Sequence, residues 1–209
     1  MSNIFPKSAN KLPLQIIIFL FVLGGIATAG VTYYMTPKYT RVGYAPVQPV
    51  PFSHALHAGQ LGMDCRYCHT NVENAAKAMI PPTQTCMGCH AMVKTDSARL
   101  KPVRESWEKN TAVEWVQIHK LPDHAFFNHS VHVAVGVGCA TCHGRVDRME
   151  VVRSEAPINM GWCLDCHRNP TPNLRPKDQV TNMEWTPAAA ANWTAPQVNP
   201  PTHCSGCHR

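Results

Sequence analysis

Mostly coil with short α-helices, ordered by groups bonded to the chain, plus one N-terminal transmembrane helix: three observations predict this fold class. All ten cysteines fall in C-x-x-C pairs, and a histidine follows every pair at once. The run from Leu14 to Tyr34 carries no charged residue. Eighteen prolines and only 15% charged residues make a poor composition for a self-sufficient aliphatic core in 209 residues, so something else must organise the chain.

The motifs are Cys65-Cys68-His69, Cys86-Cys89-His90, Cys139-Cys142-His143, Cys163-Cys166-His167 and Cys204-Cys207-His208. With 12 histidines in 209 residues, five chance matches in five have a probability on the order of one in a million. C-x-x-C-H is the attachment signal of c-type haem. Two thiols bond to two vinyl groups on one porphyrin edge, and the adjoining histidine reaches the iron as its proximal ligand. Zinc ribbons pair their C-x-x-C knuckles and gain nothing from a histidine after each one. Disulfides do not need the histidine either. The chain therefore reads as a multihaem cytochrome c, mostly coil with short α-helices organised by five haems, each a covalently bound haem c.

Residues 1–13 read as a cytoplasmic N-terminus. Residues 14–36 read as a transmembrane signal anchor, since about 20 apolar residues let a helix cross the hydrocarbon layer, and Tyr33 and Tyr34 suit an interfacial belt. Ala27-Thr28-Ala29 offers a cleavage site of the small-x-small kind. The apolar run continues past it, so an uncleaved anchor is expected. Lys7 and Lys11 before the run balance Lys38 and Arg41 after it, which leaves the positive-inside comparison tied. Haem attachment outside the cytoplasm breaks the tie. The expectation is a single-pass protein of the inner (cytoplasmic) membrane with its haem domain on the periplasmic face. Pro37, Pro46, Pro49 and Pro51 make residues 37–51 a proline-rich tether.

Residues 52–168 read as duplicated two-haem units that carry four haems. Phe52-x-His54-x-x-His57 precedes Cys65, Phe127-x-His129-x-x-His132 precedes Cys139, and a second motif follows each; such self-similarity reports repeated architecture. On a helix, residues three apart share a face, so each histidine pair can address two neighbouring irons as distal ligands. Seven histidines lie outside the motifs. His54, His57, His129 and His132 are the leading distal ligands, with His119 fifth; His124 and His203 rank below them. Methionine is the other candidate ligand, and Met160, three residues before Cys163, is preferred over Met149 and Met183 for one His/Met haem. Residues 169–209 read as a proline-rich arm that packs over the surface and ends in the fifth haem site.

The net charge of +6 is no sign of nucleic-acid binding. Haem propionates would outweigh it, and no Lys/Arg-rich run is present. Irons with both axial positions filled form a wire closed to substrate, so electron transfer is expected and not catalysis by this chain alone. A nitrite- or hydroxylamine-converting enzyme needs an open iron. A stand-alone anchored quinol dehydrogenase of the tetrahaem type shares the single helix but has neither five motifs nor the duplicated F-x-H-x-x-H.

The histidine pairs ahead of C-x-x-C-H resemble those of class III multihaem cytochromes. The run IHKLPDHAFFNHSVHVAVGVGCATCHG, followed by INMGWCLDCHRNP, looks like the membrane-anchored pentahaem subunit of alternative complex III, a quinol:acceptor oxidoreductase. Anchor, motif number and motif order agree over essentially the whole chain. The resemblance implies an electron-transfer subunit of a respiratory or photosynthetic quinol-oxidising membrane complex. It also implies its partners: an iron–sulfur subunit related to molybdopterin oxidoreductases, integral membrane quinol-binding subunits, and a monohaem cytochrome c or other periplasmic acceptor. His54, His57, His119, His129 and His132 match the histidine positions of that family.

Overall fold

The computed structural model describes residues 6–35, 41–189 and 192–209. The first five residues, the end of the expected anchor with the start of the tether (36–40), and two alanines of the arm (190–191) lie outside the described residues. The chain divides into two compact units, Met1–Arg41 and Val42–Arg209.

In the first unit a 3-10 turn, Lys7–Lys11, leads into α1, Leu12–Met35. Pro13 sits in the first turn, where a missing N–H costs nothing. At about 1.5 Å per residue the 24 residues are long enough for a hydrocarbon layer of about 30 Å. Apolar side chains occupy every face, as they do on a helix solvated by lipid. With a mean hydropathy of 2.3, this helix is long and apolar enough to cross a membrane.

The second unit contains no strand among the described residues. Its pairings outside helices include two isolated antiparallel bridges, Ala125 with His208 and Val137 with Leu174. Six short helices follow one another: α2 Cys65–Cys68, α3 Thr83–His90, α4 Lys101–Lys109, α5 His129–Ala134, α6 Cys139–His143 and α7 Met160–Arg168. Four of them carry a C-x-x-C-H motif, and the fifth motif begins on a 3-10 turn, Cys204–Gly206. One turn of helix suits the motif because positions i, i+3 and i+4 share a face, so both sulfurs and the imidazole point the same way. Side-chain caps start three of these helices. Asp64 accepts from the Arg66 N–H, Asn128 from that of Ser130, and Asn159 from that of Trp162.

Buried aliphatic side chains are few and come from scattered segments: Val50, Val103, Met149, Leu174 and Val180. Leu174 in the arm is the most enclosed, at 1% exposure. The arm is held further by Cys139 N–H donating to the Val180 carbonyl (3.1 Å) and by Thr181 Oγ1 donating to Asp64 Oδ2 (2.8 Å). The described part of the tether is also pinned. Gly43 N–H donates to Ser154 O, and the Gln48 side-chain amide exchanges two 2.9 Å bonds with the backbone of Val116.

The duplication, a first haem unit over about 54–90 and a second over about 129–167, both inside Val42–Arg209, is reciprocal. The turn Ala55–Gln60, which carries His57 and is preceded by His54, docks on the second unit: Ala55 N–H donates to Met149 O at 3.0 Å. Helix α5 docks on the first unit at the matching place, Ser130 N–H donating to Ala75 O at 3.2 Å. Met149 and Ala75 each stand seven residues beyond the second cysteine of their motif. Each histidine-bearing turn is thus seated by backbone that follows the other unit's first motif.

Candidate haem sites

The two F-x-H-x-x-H segments superpose in ring geometry. Phe52 lies 4.8 Å from His54 and 4.4 Å from His57; Phe127 lies 4.8 Å from His129 and 4.4 Å from His132. Each phenylalanine stands edge-on to the first histidine and nearly face-on to the second, so the two imidazoles of a pair point in different directions. The first unit has one residue more between its histidines and Cys65 than the second has before Cys139. That residue is absorbed where Ala55–Gln60 winds as a π-turn while α5 stays α-helical.

Seven histidines hold Nδ1 against a backbone carbonyl. His57 faces Ser53 O (2.8 Å), His69 Met79 O (2.7 Å), His90 Val93 O (3.0 Å), His129 Ala76 O (2.8 Å), His132 Asn128 O (2.7 Å), His167 Pro201 O (2.7 Å) and His208 His124 O (3.1 Å). A carbonyl only accepts, so Nδ1 carries the proton and Nε2 is left with a lone pair, the arrangement that orients imidazole ligands on metals. Ring centres lie 6.2 Å apart for His57 and His90, 6.2 Å for His132 and His167, and 6.4 Å for His129 and His143. Two imidazoles bonded at about 2 Å to opposite sides of one metal have centres roughly 6 Å apart, so these three pairs fit a shared iron. His54 belongs beside His69 by the same repeat.

His54, His57, His69, His90, His129, His132 and His143 line a continuous cleft of about 2470 Å³, several times the roughly 300–1,000 Å³ of an ordinary small-molecule pocket. Cysteines of the first four motifs border it. The model of a family described as cytochrome c7 and related cytochrome c matches residues 50–110 and 125–209. The chain belongs to that family. It is a multihaem cytochrome c, which implies covalently bound c-type haems. It is also similar to the multihaem cytochrome c subunit of menaquinone reductase from Nitratidesulfovibrio vulgaris, 34% identical over 97 residues. That match covers 46% of this chain and 45% of the relative, so the chain spans about half the length of the curated relative it matches.

For this member of the c7 family the electrostatics of the cleft suit neutral imidazoles. Burial, helped by His69 and His57, lowers the pKa of His54 to about 4. Burial and the neighbouring His119, His129, His69 and His54 lower that of His143 to about 3. Burial also lowers His119 and His132. A neutral ring is what an iron ligand must be. The Cys65 and Cys139 sulfurs, first in their two units, lie close enough to perturb each other, so the first attachment points of the units adjoin.

The remaining expected ligands stand apart. His119 has a buried Nε2 with no hydrogen-bond partner, and its ring meets His143 edge-on at 4.5 Å, too close for one iron to lie between them. His124 stacks 5.5 Å from His208. Its own carbonyl receives the His208 Nδ1–H at 3.1 Å, so backbone and ring of His124 both lie beside His208. Met160 begins α7 with its side chain 66% exposed, while Met149 is buried as packing. What sequence reasoning missed is the set of accepting carbonyls, which belong to residues of any type and leave no mark in the sequence.

Proposed function

We propose that this chain is the electron-relay subunit of a quinone-linked membrane complex, with five c-type haems between an iron–sulfur partner and a periplasmic acceptor. The observation that carries this reading is the arrangement of paired imidazoles at 6.2 to 6.4 Å, five of the six rings held through Nδ1 by a backbone carbonyl, in a protein of the c7 family. Bound haem supplies a one-electron couple at each site. The chain's own residues set where those couples sit. The ten cysteines fix the ring edges; His69, His90, His143, His167 and His208 serve as proximal ligands. His54, His57, His129 and His132 serve as distal ligands of the first four irons. His119, the further histidine whose buried Nε2 has no hydrogen-bond partner, is the remaining distal candidate.

Filling both axial positions from the chain favours electron transfer over substrate chemistry at iron. Helix α1 serves as the single-pass anchor, the haem unit facing the periplasm. The relative, a subunit of menaquinone reductase, supports coupling to a quinone pool. It also favours a second direction of flow, from periplasmic donors through this chain toward quinone. Integral quinone-binding subunits and a molybdopterin-related iron–sulfur subunit are the proposed neighbours.

Intact mass of the denatured chain tests the count. Five haem masses above 23.1 kDa are expected; fewer would refute five sites. Purification from membranes under mild detergent is expected to bring an iron–sulfur protein along. A chain that purifies alone and oxidises quinol unaided would replace the relay reading with that of a stand-alone dehydrogenase.

A further inference from the structure

The two units nearly copy each other in ring geometry, yet the residues ahead of their first motifs differ in charge. Asp64 precedes Cys65, and at the equivalent position Gly138 precedes Cys139. The Asp64 carboxylate accepts from Arg66 Nε at 2.9 Å and from Thr181 Oγ1 at 2.8 Å, and Arg66 reaches on to Glu73 at 3.3 Å. Two carboxylates and one guanidinium leave that cluster with one negative charge in excess.

At Gly138 the Arg175 guanidinium fills the space a Cβ would take. Arg175 is 8% exposed. Its Nη1 donates to Asn182 O at 2.8 Å, its face lies 5.1 Å from the Trp185 ring centre, and its Nε is buried without a partner. No carboxylate pairs with it among the described residues. An arginine buried without a counter-ion is costly, and here a glycine makes room for it. Three consecutive arm residues hold both charges in place: the Val180 carbonyl accepts from Cys139 N–H, Thr181 binds Asp64, and the Asn182 carbonyl binds Arg175.

We propose that this opposed charge splits the reduction potentials of two haems that internal symmetry would make equal, Arg175 raising the third and Asp64 lowering the first. The inference rests on the haem-site reading above. Reduction adds one negative charge at the iron, which a nearby buried cation stabilises and a nearby carboxylate opposes. Because Cys65 and Cys139 adjoin, the first and third sites are neighbours, and an electron at equilibrium rests on the third. The arm thereby gives direction to a symmetric pair.

The test is a potentiometric titration of the full-length chain in detergent, followed by visible and EPR spectra, with the third haem identified as the one that turns high-spin in His129→Ala. Arg175→Gln is expected to shift the reduction equilibrium of the third haem by about tenfold, a fall of about 59 mV for one electron. Arg175→Lys is expected to restore it. Asp64→Asn is expected to raise the first haem's midpoint and leave the third in place. Full low-spin haem content with unmoved midpoints overturns the inference, as does a shift that lysine fails to rescue. If Arg175→Gln does not fold, Asp64→Asn decides alone, and a midpoint that stays or falls overturns it. A mass without haem sinks the site reading itself, an outcome distinct from full haem content with unmoved potentials.

Discussion

His129 and His132 show how one turn can present two imidazoles in different directions. Asn128 O takes the His132 Nδ1–H, Ala76 O takes that of His129, and Phe127 wedges between the rings, so each Nε2 has one direction left. Replacing either histidine by alanine is expected to leave covalent haem content unchanged, because the thioethers are untouched, while one iron changes from low to high spin. EPR with intact mass checks this, and an unchanged spectrum would remove that histidine from the ligand set. At this scale the sequence was informative about residue types. The five C-x-x-C-H motifs are read from spacing, and the two histidine pairs from matched F-x-H-x-x-H segments. The placement of His119 beside His143 and of His124 beside His208 was not legible, since both depend on where a loop crosses another.

Among the elements, the π-turn Ala55–Gln60 repays comparison with its partner α5. A one-residue difference in spacing was visible in the sequence, but its absorption within the turn was not. The turn also presses Gly59 against the Asp147 carbonyl so closely that a Cβ would collide with it. Gly59→Ala is expected to cost about 1–3 kcal/mol, since backbone has to move apart. The measurement is the denaturation midpoint of the haem-loaded protein. The Asn128 cap of α5 makes a milder case: Asn128→Ala is expected to cost about 1 kcal/mol and Asn128→Asp much less. Helix α1 was the most legible element, because a charge-free run of that length has few other uses. The reciprocal seats at Met149 and Ala75 were invisible, since backbone carbonyls carry no residue signature.

For the whole molecule, arm and units are joined through Asp64. Arg66, with help from Thr181, lowers its carboxyl to about 2, below the ordinary value of 3.8. The unfolded chain takes up this proton first on acidification, so the stabilisation is present above pH 3.8 and is lost as pH falls through that value toward about 2. Both side chains are well exposed, so the effect is modest. Asp64→Asn is expected to lower the neutral plateau by that modest amount and to flatten the acid limb between those pH values, the two stability curves converging near pH 2. A limb of unaltered slope would count against the tie. A chain that lacks residues 1–41 and follows a cleavable export leader is expected in the water-soluble fraction with its haems attached. Continued sedimentation with membranes would show that more than α1 holds it there.

The exchange of seats between the units bears on how such a molecule comes to be made. Synthesis runs from the N-terminus, so the turn bearing His57 exists long before Met149, the carbonyl on which it rests. Until the second half arrives, the first two cofactors would hang on a strand that has no lid. A chain stopped after residue 124 is therefore expected to acquire both thioether-linked haems and yet yield readily to protease, with added residues 125–209 restoring resistance.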